Sequence, residues 1–181
     1  MTVPTSRWSA AASPPAAAPC LACRPAASAA ELAAHFRIRH QVFVMEQGLF
    51  RNGSGGPGHD HDPHDDDPAT IHVIGLADGA IGGTVRLYPL GGGEGRWKGD
   101  RLAVLPEYRR HGLGAPLVRL AVTEAGARGG REMEAYIQPE NVAFFEWLGW
   151  RRVGRVVLYA GINHQRMVTR LTARRQPGQS Y

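Results

Sequence analysis

Apolar residues recur at helical spacing over 28–43, where Leu32, Phe36 and Phe43 fall near one face, with Arg39 and His40 between them. Ser28 stands at the N-cap position with Glu31 three residues on, which predicts a capping box. Two β-rich runs follow at 71–76 and 81–88. They are separated by Ala77-Asp78-Gly79-Ala80, whose Asp-Gly pair predicts a hairpin turn. After a glycine-rich loop at 91–95 comes a strand at 101–105, stopped by Pro106. Leu117, Val118, Leu120, Ala121 and Ala125 then mark the apolar face of a long helix that Gly126, Gly129 and Gly130 end. A strand at 133–137, a short helix at 141–148 stopped by Gly149, and an antiparallel pair at 152–159 and 165–171 complete the pattern. The order is helix, three strands, helix, strand, helix, two strands. It predicts an α/β fold with a mixed central sheet flanked by helices.

Between these elements the chain changes character. Residues 48–68 contain Gly53, Gly55, Gly56, Pro57 and Gly58, and 59–67 is almost wholly His, Asp and Pro. Imidazoles and carboxylates are ligands for divalent ions, but nothing apolar nearby would fix them, so a solvated acidic loop without metal is expected. Residues 1–24 are Ala/Pro/Ser-rich and read as a disordered tail, 25–173 as one domain and 174–181 as a flexible end. The 181 residues suffice for one core, and no apolar run approaches a membrane span. The formal net charge of +5 comes largely from arginines late in the chain, which suits an anionic partner. Their scatter through periodic segments favours a phosphorylated cofactor over nucleic acid. Cys20 and Cys23 form a CxxC without the strand–helix context of a redox motif and read as incidental thiols, in keeping with a cytoplasmic protein.

The stretch 102–115 carries the chemistry. A strand ends at Pro106, Arg109, Arg110 and His111 follow, and Gly112 and Gly114 frame the start of a helix. Unpartnered N–H groups and the dipole at a helix start attract anions, and glycines let the backbone approach a pyrophosphate closely. The loop lacks the Gly-Lys-Ser/Thr of a Walker loop and the three glycines of a dinucleotide fingerprint. Arg109-Arg110-His111-Gly112-Leu113-Gly114 instead resembles the signature Arg/Gln-x-x-Gly-x-Gly/Ala of the GNAT acetyltransferases. Residues 102–108 resemble that family's fourth strand and its exit. Asn141-Val142-Ala143-Phe144-Phe145-Glu146-Trp147-Leu148-Gly149-Trp150 is similar to its late helix, and 161–167 to its last hairpin. The resemblance covers roughly 28–172. Within it, Arg39-His40-Gln41-Val42-Phe43-Val44-Met45-Glu46-Gln47 resembles the opening of a narrower branch, associated with nitrogen-starvation gene clusters, in which an acidic loop and a His-led strand (here 65–72) follow.

The resemblance implies a GNAT-like sheet whose fourth and fifth strands splay apart, with acetyl-CoA as co-substrate. The backbone of Leu102, Ala103 and Val104 would pair with the pantetheine arm. Arg109, Arg110, His111, Gly112, Leu113 and Gly114 would hold the pyrophosphate, Asn141 would lie beside the arm, and the acceptor would enter opposite. Amide formation needs a neutral amine, a donor to the oxyanion and a proton for the leaving thiolate. An N–H near Val104 is the candidate oxyanion donor, and Asp100, His72 and Glu46 are the candidate bases. Each has a plainer reading: Asp100 as a residue at the head of its strand, His72 as a strand histidine bonded to a neighbour, Glu46 as a backbone cap. The family's general acid is a tyrosine where this chain has Phe145, leaving Tyr136, Tyr159 or an unassisted thiolate. Phe36, Phe43, Phe144, Trp147 and Trp150 read as packing, while Tyr88 and Trp97 are placed at the acceptor pocket. The expected function is transfer of an acetyl group to the amine of a small molecule, with no metal and no nucleic acid or membrane partner. A catalytically weak CoA-binding or partner-binding module is the alternative, and a homodimer is left open.

Overall fold

The computed structural model describes residues 18–50, 60–159 and 161–172. The stretches 1–17, 51–59 and 173–181, with His59 and most of both expected tails, lie outside the described residues. The sheet opens earlier than the sequence pattern predicts. Strand β1 (Leu21–Pro25) pairs antiparallel with β2 (Ile71–Ala77), so residues 21–24 belong to the domain and not to a tail. Only five residues long, β1 turns Leu21 and Cys23 toward the core and ends at a proline, as an edge strand tolerates. Burial lifts the Cys23 thiol to about 11, as befits an inert packing residue.

Ser28 caps α1 (Ala29–Arg39), its hydroxyl accepting from the Glu31 N–H at 3.2 Å. The Glu31 carboxylate turns back to the Ala27 N–H and to Arg24, so the expected box closes one residue earlier. Past Arg39 the helix widens into π-helical turns over His40–Glu46, burying Val42 and Phe43 and placing Glu46 on the wall of a cavity. The Asp78-Gly79 turn joins β2 to β3 (Ala80–Pro89) as a hairpin. Strand β4 spans Arg96–Val104, five residues more at its start than predicted. The reason is legible once seen: Arg96, Lys98 and Asp100 alternate with the buried Trp97 and Gly99, the period of a half-buried strand. Asp100 is therefore in mid-strand, not at its head. Trp97 faces the core and, unlike Asp100, does not line the cavity that Glu46 lines.

A short α2 (Pro106–Arg109) and the long α3 (Gly114–Ala127) cross over to β5 (Glu132–Ile137). Then come α4 (Val142–Trp147), β6 (Arg151–Arg152), β7 (Val157–Tyr159) and β8 (Ile162–Arg170). The sheet order is β1-β2-β3-β4-β5-β8-β6, with β7 paired to β8. Among these pairings only β4 and β5 run parallel, and the helical crossover permits that. One core lies between the sheet and α3 and α4; a smaller one joins Ile38, Val42 and Phe43 to Ala103. Trp150 and Phe43 are buried as expected, but Trp147 is 67% exposed, its ring facing the Arg119 guanidinium at 5.3 Å.

Candidate active site

Two irregularities in β4 make the site. Parallel pairing to β5 covers Arg96↔Glu132, Trp97↔Met133 and Lys98↔Glu134 and then stops, so the strands part. On the other edge, Asp100 pairs with Arg86 and Ala103 with Thr84, so β4 spends one residue more than β3 over this stretch. That bulge centres on Arg101, whose φ of 53° is left-handed, and it lets Asp100 and Arg101 both face the α1 side. The parting opens a cavity of about 610 Å3 lined from both faces of the sheet. On the α3 side its walls are apolar, from Val85, Met133, Ala135 and Phe145. On the α1 side they carry Lys98, Asp100, Tyr136, Tyr159 and His164.

The loop between α2 and α3 forms one rim. Gly112 has a φ of 77°, a conformation that only glycine adopts without strain. Gly112, Gly114, Arg109 and Asn141 line the cavity together with the backbone stretch 102–104. Leu113 is instead fully buried in the core, and the exposed His111 rests edge-on against Tyr108 at 5.7 Å. Arg110 is exposed beside them. The loop is held down by Tyr108, whose ring fills the space over Gly82; a Cβ there would come within 2.4 Å of it. Arg109 Nε donates to the Val104 carbonyl at 3.0 Å and its Nη2 to Glu46 at 2.6 Å. The signature arginine thus ties the loop to the end of β4 and to the π-helical turns. Gln138 reaches Gln47 at 3.0 Å, linking the end of β5 to the same turns.

The three candidate bases are not brought together. Glu46 lies on the cavity wall, but the Arg109 hydrogen bond holds its carboxyl below the usual range against a smaller opposing effect of burial. His72 lines a separate, more open cavity of about 760 Å3 at the β1–β2 end of the sheet. Its Nδ1 meets His35 Nε2 and its Nε2 the Asp65 carbonyl, both at 3.3 Å, and burial lowers its pKa. Asp100 is on the polar wall, and both its oxygens accept from Arg86 at 2.8 Å. Tyr136 and Tyr159 face the same space with ring centroids 6.5 Å apart, and the Lys98 ammonium lies 5.4 and 6.0 Å from them. Phe145 is on the apolar wall, T-shaped against Trp150 at 5.3 Å. Tyr88 lies beneath Asp100, stacked on His64 at 4.0 Å, and does not line the cavity.

The acidic loop is the largest departure from expectation. Asp60 and Asp65 are buried, and Asp62 is half-buried, because three arginines reach them. Arg39, with no exposed side-chain surface, donates to Asp60 at 2.7 Å and to Asp65 at 2.5 Å. Arg86, equally buried, grips Asp62, Asp65 and Asp100, each at 2.8 Å, and Arg101 reaches Asp62 at 3.1 Å. Burial opposes ionisation of Asp65, yet the Arg39 hydrogen bonds and the charges of Arg39 and Arg86 outweigh it and hold the carboxyl far below the usual range. Sequence reasoning passed over Arg86 and Arg101. A charge in the middle of a strand otherwise built of core residues was the available signal, and the acidic loop was its partner. No cluster of His, Cys, Asp and Glu suited to a metal occurs among the described residues. No helix among them is long and apolar enough to cross a membrane.

Comparison with known proteins agrees with this architecture. The family model for the Acetyltransferase (GNAT) family matches residues 40–150. A mycothiol acetyltransferase of Kineococcus radiotolerans is 35% identical over 86 residues, 48% of this chain but only 28% of that relative's length. A candidate N-acetyltransferase from Lactobacillus plantarum superposes with a TM-score of 0.71 at 24% identity, covering 83% of this chain and 98% of that one. An acyl-CoA N-acyltransferase from Pseudomonas aeruginosa gives a TM-score of 0.64 at 25% identity, over 82% and 97% of the two chains. With a family model spanning most of the sheet, the parted strands and the glycine rim, the chain belongs to the GNAT acetyltransferase family.

Proposed function

We propose that this chain is an N-acyltransferase that moves an acyl group from a coenzyme A thioester to the amine of a small molecule, acetyl-CoA being the smallest donor it would accept. The observation that carries the reading is the cavity through the parted β4 and β5, with the glycine rim at one side and a polar wall at the other. The 109–114 rim and the start of α3 would take the pyrophosphate, the 102–104 backbone and Asn141 the pantetheine arm. Arg109 supports that rim through Val104 and Glu46.

On the polar wall, Asp100 is the favoured residue toward the amine. Each carboxylate oxygen accepts more than one hydrogen bond, so Asp100 can orient an amine N–H while bound to Arg86. Glu46, already paired to Arg109, is better suited to shaping the rim, and His72 stands outside this cavity. The neutral amine attacks the thioester carbonyl, and a backbone N–H of β4 near Val104 stabilises the oxyanion. Tyr136 is the proposed proton donor to the departing thiolate, in the role Phe145 cannot fill. Isothermal titration of acetyl-CoA into the wild type and an Arg109→Ala/Gly112→Asp double variant tests the reading. Micromolar binding lost in the variant supports it and leads to an amine screen read by free thiol release; no binding to the wild type refutes it.

A further inference from the structure

The apolar lobe of the cavity is larger than an acetyl group requires. Val118 and Ala121 of α3, Met133 and Ala135 of β5, Phe145 of α4 and Trp150 wall it, and all six are buried in the main core. Along α3 the lining runs from Gly114, on the rim proposed for the pyrophosphate, as far as Ala121. Along β4 it continues from Leu102 back to Gly99, about 10 Å beyond the edge proposed for the pantetheine arm. An acetyl group extends one carbon past its carbonyl and leaves that length empty. Protein interiors carry few voids larger than a water molecule, and these walls give water no hydrogen bonds.

Small residues keep the lobe open. Ala121 and Ala135 stand on facing walls, and Gly99 leaves room that a Cβ, 3.1 Å from the Met133 sulfur, would take up. Phe145 and Trp150 close it with an edge-to-face aromatic pair. The position where a hydroxyl was expected is therefore part of an apolar wall.

We propose that this lobe is an acyl-chain pocket and that the preferred donor is a medium-chain thioester, butanoyl to octanoyl. The inference rests on the acyltransferase reading of the same cavity. In the transfer, the amine nitrogen bonds to the carbonyl carbon and the carbon–sulfur bond breaks with its electron pair left on sulfur. Sulfur ends with the proton that the amine gives up, so the products are an N-acyl amide and free coenzyme A. Ala121 and Ala135 set the chain length.

The test is titration of acetyl-, butanoyl-, hexanoyl- and octanoyl-CoA into the wild type and into Ala121→Leu and Ala135→Leu. A buried methylene tightens binding about fourfold, so hexanoyl-CoA binds the wild type at least about tenfold tighter than acetyl-CoA. Either leucine brings that ratio near one. Because the ratio is taken within each protein, a partly folded variant does not distort it, and the two variants act from opposite walls. Equal affinity along the series in the wild type, or a ratio that both leucines leave intact, overturns the acyl-chain pocket while acetyl-CoA binding still upholds the acyltransferase. Failure of every thioester and of free coenzyme A to bind overturns both.

Discussion

Replacing Asp65 by Asn removes one charge from the centre of the buried cluster with almost no change of shape. Its carboxylate has no exposed surface and accepts from Arg39 at 2.5 and 3.0 Å and from the Asp62 N–H at 3.0 Å, with Arg86 at 2.8 Å. Removing one partner of such a buried pair costs about 3–5 kcal/mol, because the guanidiniums left behind remain desolvated. For a chain of this size that is a fall in Tm of roughly 6–20 °C. Urea denaturation at pH 7 measures it, with Asp66→Asn as control, since the Asp66 side chain is 79% exposed on the same loop. The acid dependence adds a second constraint. Asp65 has a depressed pKa when folded, so below the ordinary carboxylate range the unfolded chain binds the extra proton first. The stability it contributes is present above a pH of about 4 and is lost as pH falls toward the folded value. The gap between wild type and variant therefore narrows on acidification. A variant within about 1 kcal/mol of the wild type at pH 7, or a gap that stays constant into acid, would refute this account of the cluster.

His35 supplies a separate acid response: burial above all, then the Arg39 charge, lowers its pKa from 6.5 to about 3. The unfolded chain takes up that proton first, so stability falls with pH across this window by at most about 5 kcal/mol, and His35→Leu flattens the stretch between pH 6.5 and 4 in a denaturation series. Gly82→Ala drives a Cβ into the Tyr108 ring and costs about 1–3 kcal/mol. Because that ring seats the 109–114 loop, coenzyme A affinity falls with it by titration, whereas Gly91→Ala, with open space around it and no positive φ, leaves the affinity unchanged. Tyr136→Phe lowers kcat about 10²-fold, the range for loss of a general acid, with little change in KM for the thioester; an unchanged kcat assigns the proton to another group.

The elements legible in the sequence were those whose cause is local. The capping serine of α1 and the Asp78-Gly79 hairpin are dictated within a few residues, and each stands where the pattern put it. Strand β1 has too few residues for a period and exists because β2 offers it an edge. The early half of β4 was hidden by its alternating charges, which read as a loop until Arg86 and Asp100 are seen to pair. The acidic loop failed for the same reason on a larger scale. Its aspartates looked solvated because their partners lie 21 to 41 residues away on a helix and two strands. A run of carboxylates is a solvated face only if no unpaired guanidiniums face inward elsewhere, and Arg39, Arg86 and Arg101 all do.

That cluster also answers a mechanical need created by the site. Where β4 leaves β5 it gives up hydrogen bonds on one edge, and the bulge at Arg101 interrupts the ladder on the other. The segment proposed to present its backbone to a thioester thus has interrupted pairing on both edges. Arg86 pins Asp100 from β3, and Arg101 is drawn onto Asp62 in the loop that Arg39 anchors to α1. Arg109 binds the strand's last carbonyl from the other end. Ion pairs that contribute little on a surface are effective here because they are buried, mutually hydrogen-bonded and attached to four separate elements. On this reasoning, weakening the cluster loosens the bulge before it unfolds the domain, and a kcat defect in Asp65→Asn should appear at temperatures where its secondary structure is still complete.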